Sequence, residues 1–434
     1  MPTPKTLTET DVLAISDAAG DPTWLRDRRL EAFKAFSDLE WPTGRDEDWR
    51  FTNPRRLDLD REVGAATVAI TAPDGVVATD LVTAAAEHAD VVQAHLGTVV
   101  PSEEKFAALA LAGFGGGAFV HVPADAEVAD PIEIRVDAGD GTAIRWVLVV
   151  VERHAKATVL ITGSGAGETT VVDAVEAVVG DGATLNLVTT QDWGAGVAHV
   201  TTHRGKVGRD AHYQHTEVSL GGDTVYVRPD VWLAGKGGDA EMLGVYFPTG
   251  EEKVEHRSLI FHDADHTTSE YVHKGALSDT AHATWYGNIR IDVDAKQTVS
   301  DETNRNLILS PGARADTLPF LEIETADVAG CGHHSSVGQV DEVHLWYLQS
   351  RGIPRDEAAR MLVFAFFTDV LDRVDAPGVE EKVLADITDA IRSAPVTLMD
   401  PRRTAGASRS TGGAIDVGSH DAGAGPANFG GAPA

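Results

Sequence analysis

Cysteine is almost missing from this sequence: Cys331 is the only one in 434 residues. An intramolecular disulfide framework is thereby excluded, as is a metal site built wholly from this chain's cysteines. Long apolar runs are also missing, so no transmembrane helix is expected. The opening MPTPKTLTETDV lacks a basic start followed by an apolar stretch and does not read as a secretory signal. A cytoplasmic protein with no membrane partner is the expectation. Lysines are few and basic clusters are lacking, while Asp and Glu bring the net charge to -31. Phosphate contacts need basic clusters, so nucleic acid is not an expected partner either. The acid is spread along the chain rather than gathered in one tail. That distribution fits an acidic, halophilic protein whose surface charge is screened by a salty cytosol. The competing reading is a surface that attracts basic partners.

What is present divides into three textures. Residues 22–40 carry Leu30, Phe33 and Phe36 at helical spacing, and helical signal returns near 79–95 and 102–112. Between them, WPTGRDEDWRFTNP is an irregular connector punctuated by Pro42, Gly44 and Pro54. From Gly115 to about residue 325, short runs of Val, Ile and Thr alternate with Gly, Asp and Ala turns. A weak repeat places Ala155, Ala183, Ala211 and Ala240 at nearly equal intervals, with a less regular copy at Ala313. A steady period of this kind, made only of strands and turns, predicts the stacked coils of a parallel β-helix, with the alanine at a tight corner. A sandwich or a propeller is the alternative.

After residue 340 the helices resume. Val343, Trp346, Tyr347 and Ser350 share one helix face, Gly352 can end that helix and Pro354 can open the next. Residues 355–374 are apolar nearly all round from Met361 to Phe367, as in a helix that is buried or awaits a partner. A third helix carries Val379, Val383, Leu384, Ile387 and Ile391 on one stripe. Beyond Pro401 the Gly/Ala/Ser-rich composition predicts disorder.

The densest group of reactive residues is CGHHSS, Cys331 to Ser336. On an extended segment a thiol and an imidazole two residues apart point to the same side, and both bind iron, zinc or copper. Two ligands hold a metal poorly, so a site here needs residues from elsewhere or from another chain. A structural cysteine and a cysteine nucleophile paired with His333 are the other readings. The run GFGGGA follows a helix and precedes a strand, the reverse of the order a dinucleotide loop requires. Eight histidines between 203 and 282 lack close ligand spacing; His262 and His266 flank two aspartates, as in an oxygen-rich metal site or an exposed turn.

The segment LPFLEIETADVAGCGHHSSVGQVDEVHLWYLQSRGIPRDEAARMLV closely resembles the signature of the SufB/SufD family of iron–sulfur cluster assembly scaffolds. TNRNLILSPGARADTLP, HKGALSDTAHATWYGNIRI and KFAALALAGFGGGAFVHVPADAEVADPIEI are similar to other family segments, in the family's order. The stretch VGQVD, the early EDWRFT and the single cysteine resemble the D-type subunit; a SufB-type paralogue is the alternative, and a β-helix enzyme acting on polysaccharide is the alternative outside the family.

This resemblance implies a mainly β protein: a right-handed parallel β-helix over 113–325, an N-terminal helical region over 1–112, a C-terminal helical domain over 326–400 and a disordered tail over 401–434. It implies a non-catalytic scaffold that pairs with a SufB-type paralogue and docks a SufC-type ABC ATPase. A transient iron–sulfur cluster would form at the subunit interface, bound by His333 with Cys331 nearby; participation of a reduced flavin stays open. The family commonly reads Cys-Ser-His-Gly-Ala-Thr, so Gly332, His334, Ser335 and Ser336 depart from it, and His334 competes with His333 as the metal ligand. Helices over 341–374 would bind the ATPase, with Trp346, Tyr347, Arg351, Phe366 and Phe367 as contact residues.

Overall fold

From Gly116 to Gln339 the chain is a succession of strands of seven to eleven residues. The computed structural model describes residues 7–60, 63, 66–100, 102–376 and 379–393; the tail 401–434, expected to be disordered, lies outside them. Successive strands fall alternately into two sheets, each nine-stranded among the described residues. Within each sheet, neighbours from one coil to the next run parallel. The result is a flattened parallel β-solenoid. The first sheet runs from Gly116–Val122 to Arg314–Ile323, and the second from Ile132–Ala138 to Gly330–Gln339.

One corner explains the alanine repeat. Lys156 pairs with Thr184 and Thr184 with His212, the same advance along the chain each time. Ala155, Ala183 and Ala211 immediately precede these residues and are buried. Each follows a residue in the left-handed region: His154, Gly182 and Asp210, with φ of 57°, 66° and 52°. Asp125, Gly237, His266 and Gln297 hold the same place in other coils, all with positive φ. Their N–H groups donate to the carbonyl one coil on, as His154 does to Asp181 at 2.9 Å and His266 to Lys296 at 2.8 Å. The chain thus turns the corner while keeping its coil-to-coil hydrogen bonds, which offsets the backbone cost of the left-handed residue.

Two copies of the repeat need correcting. Asp239 pairs with His212, so Gly238 stands at the corner and Ala240 lies opposite Tyr213. Ala313 belongs to the other sheet, just before the Arg314 that pairs with His282. Coil length varies: the step from His212 to Asp239 is shorter than the step from Thr184 to His212, and that from Thr268 to Val299 is longer.

Helices cover part of the outer face of each sheet. Helices α1 (Glu9–Ala19), α2 (Thr23–Asp38), α3 (Leu81–Glu87), α4 (Ala89–His95) and α5 (Lys105–Gly113) precede the solenoid. They form a core with Ile144, Trp146, Leu148 and Val172 of the first sheet. After the solenoid come α6 (Glu342–Ser350), α7 (Arg355–Leu371) and α8 (Glu380–Ser393). Their buried residues pack with Leu160, Val188, Val218 and Leu243 of the second sheet. Covered sheets have two apolar faces, which is why Gly141–Val151 reads as a nearly unbroken apolar run.

The two ends of the stack differ. At the N-terminal end, Ala66–Thr71 and Val77–Asp80 pair antiparallel with Ile132–Ala138 and Gly116–Val122 and stop the parallel stacking. These two strands interrupt a region whose sequence reads as helical. At the other end, Arg314–Ile323 and Gly330–Gln339 are edge strands with no outer partner among the described residues. Strand pairing therefore continues to Gln339, past residue 325, and carries CGHHSS into the last coil.

Candidate functional site

Val299–Ile308 supplies the strand on which CGHHSS is laid: Ser300 pairs with Cys331, Glu302 with His333 and Thr303 with His334. Cys331 is half-buried and packs against the interior cluster between the sheets, as Leu321 and Val328 also do. Side chains alternate along a strand, so His333, Ser335 and Val337 share its inward face, while His334 points outward. The imidazole of His334 lies 3.5 Å from Asp301 on that outer face. A Cβ at position 332 would meet Asp301 Oδ2 at 2.6 Å, so glycine there leaves room for the carboxylate. His333 is the histidine that shares a side with Cys331, about 7 Å along the strand by its rise.

Beneath His333 sits Glu302, fully buried. Burial pushes its carboxyl up to about 8, against the nearby backbone N–H of Phe320 and with the help of Asp301. That N–H is not aligned to complete a hydrogen bond, and both carboxyl oxygens lack one among the described residues. Burial, then Glu302 and Asp301, push the Cys331 thiol up to about 11. A thiol held protonated this way is a weak nucleophile, which removes support from a cysteine–histidine catalytic pair. As a metal half-site the same group offers Sγ, an exposed imidazole and a buried carboxyl, all at the open end of the solenoid.

The inward-facing columns become more polar toward that end. One runs from Val159 through Leu187, His215, Met242, Tyr271 and Glu302 to His333 by strand register. Deeper inside, Glu217, His256 and His273 place one possible ligand atom each within 4.8 Å of one another. Sequence spacing hides this group, because the three residues stand on different strands and His256 reaches in from the opposite sheet. His262 and His266 are not brought together: His262 is buried, 2.7 Å from Thr267 Oγ1, and His266 is the exposed corner residue.

On the C-terminal helices, Asp341 caps α6 by accepting from the Val343 N–H at 2.7 Å, and Gly352 ends the turn with φ 88°. Trp346 is 68% and Tyr347 52% exposed, and Arg351 reaches the Tyr347 hydroxyl at 3.2 Å. The two phenylalanines behave differently from the expected contact residues. Phe367 is 0% exposed and belongs to the core under α7, and Phe366 is half-buried with Lys274 Nζ 4.5 Å from its ring centroid. The apolar circumference of α7 is explained by burial against the sheet and against α6 and α8. Between α7 and α8 lies a groove of about 540 Å³ lined by Met361, Phe364, Ile391 and Arg392 among others.

The chain is thus a β-solenoid with helices packed on both faces and with a cysteine and a histidine on its open inner edge. Residues 134–366 match the family described as "SUF system FeS cluster assembly, SufBD core domain". The chain is 38% identical over 363 residues to an iron–sulfur cluster assembly SufBD family protein of Mycobacterium tuberculosis, covering 80% of this chain and 89% of that one. A Mycobacterium leprae protein of the same description is 35% identical over 397 residues, covering 88% and 97%. The iron–sulfur cluster assembly protein SufD of Bacillus subtilis is 28% identical over 427 residues, covering 87% and 97%. The chain belongs to the SufBD family of the SUF iron–sulfur cluster assembly system. Among its described residues, no helix is long and apolar enough to cross a membrane.

Proposed function

We propose that this chain is a SufD-type, non-catalytic scaffold subunit that works in the cytoplasm within a SufBCD complex. The observation that carries the reading is the open coil end, where Cys331 and His333 face inward on an edge strand without an outer partner among the described residues. Such an edge invites strand pairing with another chain, and a SufB-type paralogue is the natural occupant. His333, with Cys331 beside it, then supplies part of the ligand set for a nascent iron–sulfur cluster, which is cargo rather than a resident cofactor. His334 is the weaker candidate because it faces Asp301 on the other side. Trp346, Tyr347 and Arg351, exposed on α6, form the surface that receives a SufC-type ABC ATPase. The helices packed on the earlier strands of the first sheet and the middle strands of the second leave little of those coil faces for a polysaccharide-binding groove.

The experiment is purification of the tagged chain from its own cells, with identification of what accompanies it and measurement of bound iron and sulfide. Co-recovery of a paralogue and an ABC ATPase is the expected result. His333→Ala is expected to leave that complex assembled with the cluster lost. Recovery of the chain alone, or a normal cluster yield in the variant, would overturn the respective part of the reading.

A further inference from the structure

The solenoid interior holds a second group that the cluster-assembly reading does not use. Glu217 stands on His212–Gly221, His273 on Thr268–Leu277, and between them in the same inward column is Gly244. The missing side chain at 244 leaves a hole that His273 fills: a Cβ there would lie 2.2 Å from His273 Nε2. His256 enters the same space from the first sheet, with its Nε2 2.6 Å from Glu217 Oε2. All three residues are buried, with 0–1% exposure.

We propose that Glu217, His256 and His273 form a site for one divalent first-row transition-metal ion inside the solenoid, of the class that takes imidazole and carboxylate ligands, such as zinc or ferrous iron. The three candidate ligand atoms lie within 4.8 Å of one another, so small side-chain movements bring them around one ion. His256 Nδ1 and His273 Nδ1 complete no hydrogen bond among the described residues, while His256 Nε2 lies 2.6 Å from Glu217 Oε2 and 3.3 Å from Ser219 Oγ. Buried polar atoms are normally satisfied, and an ion held by the carboxylate and both rings would give the unpartnered imidazoles a partner. The outer parts of the site are ordered. Ser219 donates to Glu217 Oε1, and the rings of Tyr246 and Tyr271 stand 4.9 Å from His256 and 4.5 Å from His273.

The column also leads toward the open end. Below His273 it continues through Asn304 to Ser335, which is exposed on the edge strand. Asn304 donates to the Tyr246 hydroxyl at 2.9 Å and to the His273 carbonyl at 3.2 Å, so its amide stands between the site and the open end.

The test uses the full chain stripped of metal and titrated with cobalt(II), whose visible spectrum reports nitrogen and oxygen ligation. A C331S/H333A/H334A variant removes the exposed ligands at the open edge and so separates this site from the one proposed for cluster assembly. One equivalent of cobalt is expected to bind this variant. Adding E217Q or H273Q is expected to weaken that binding by more than about tenfold. The proposal is overturned if the open-edge variant binds no cobalt, or if E217Q and H273Q leave the titration within tenfold. Should H273Q fail to fold by circular dichroism, E217Q, which preserves side-chain size, decides the outcome alone.

Discussion

Cys331 shares its inward face with His333, yet the two residues are held in different states. The thiol is half-buried and pushed up to about 11, while the imidazole is exposed. Alkylation of Cys331 in the isolated subunit at pH 8 should therefore run about a hundredfold slower than for a free cysteine and accelerate as pH rises toward 11. Rapid labelling at pH 8 would show the thiol to be activated instead. At this scale the sequence was informative: extended parity put residues 331 and 333 on one side. Which histidine of the pair faces the site stays open in the sequence, and so does the identity of the buried neighbour of His333. Glu302 stands one full coil upstream of His333, and only the length of that coil brings them side by side.

The connection between helices and solenoid depends on single buried groups. Glu176, on Thr169–Val179, accepts from the Gly97 and Val99 N–H groups at 2.7 and 2.6 Å and from the Trp146 indole at 3.2 Å. Burial nevertheless pushes its carboxyl up to about 7 against these donors. The native chain thus keeps a proton that the unfolded chain releases above its ordinary value of 4.5. The contribution of Glu176 to stability falls as pH rises from about 4.5 to about 7 and is level above that. Glu176→Gln should reduce that slope and cost about 1–3 kcal/mol, because the amide turns donors toward donors. Urea unfolding of both proteins at pH 5 and 7.5 measures it.

On α7 and α6, two aromatic substitutions should part company. Phe367→Ala should destabilise the fold by about 3–5 kcal/mol, as for other buried rings. Trp346→Asp should leave the thermal midpoint nearly unchanged while abolishing ATPase co-purification. Equal losses of stability would mean that Trp346 is part of the core. Most helices of both ends are legible in the sequence, α2 from its periodicity and α7 from its apolar circumference, whereas α1 goes unmarked. The two strands at 66–71 and 77–80 are not, because short antiparallel edges carry no period of their own. The coil repeat is legible only where coil length stays constant, which is why the alanine pattern misplaces Ala240 and Ala313.

For the whole molecule, a net charge of -31 acts against compaction at low ionic strength. The thermal midpoint should rise steadily with KCl as self-repulsion is screened, and a flat response would remove the halophilic reading. The open end makes a second demand. Phe320 and Val337 are 39% and 46% exposed on the two unpaired edges, and replacing Val337 with Lys should weaken association with the paralogue while leaving the isolated chain folded. Size-exclusion chromatography of the mixed subunits gives the readout; undiminished association would move the interface elsewhere.

The antiparallel strands at the opposite end then acquire a counting role. An edge that accepts another chain can in principle accept one after another, and a solenoid open at both ends would polymerise. Here parallel stacking stops at one end in two short antiparallel strands of six and four residues, which offer little edge to pair with, and at the other runs on into two ten-residue edges. Two such solenoids joined at their long edges would keep only the short antiparallel edges outward, so association through the long edges closes at a pair.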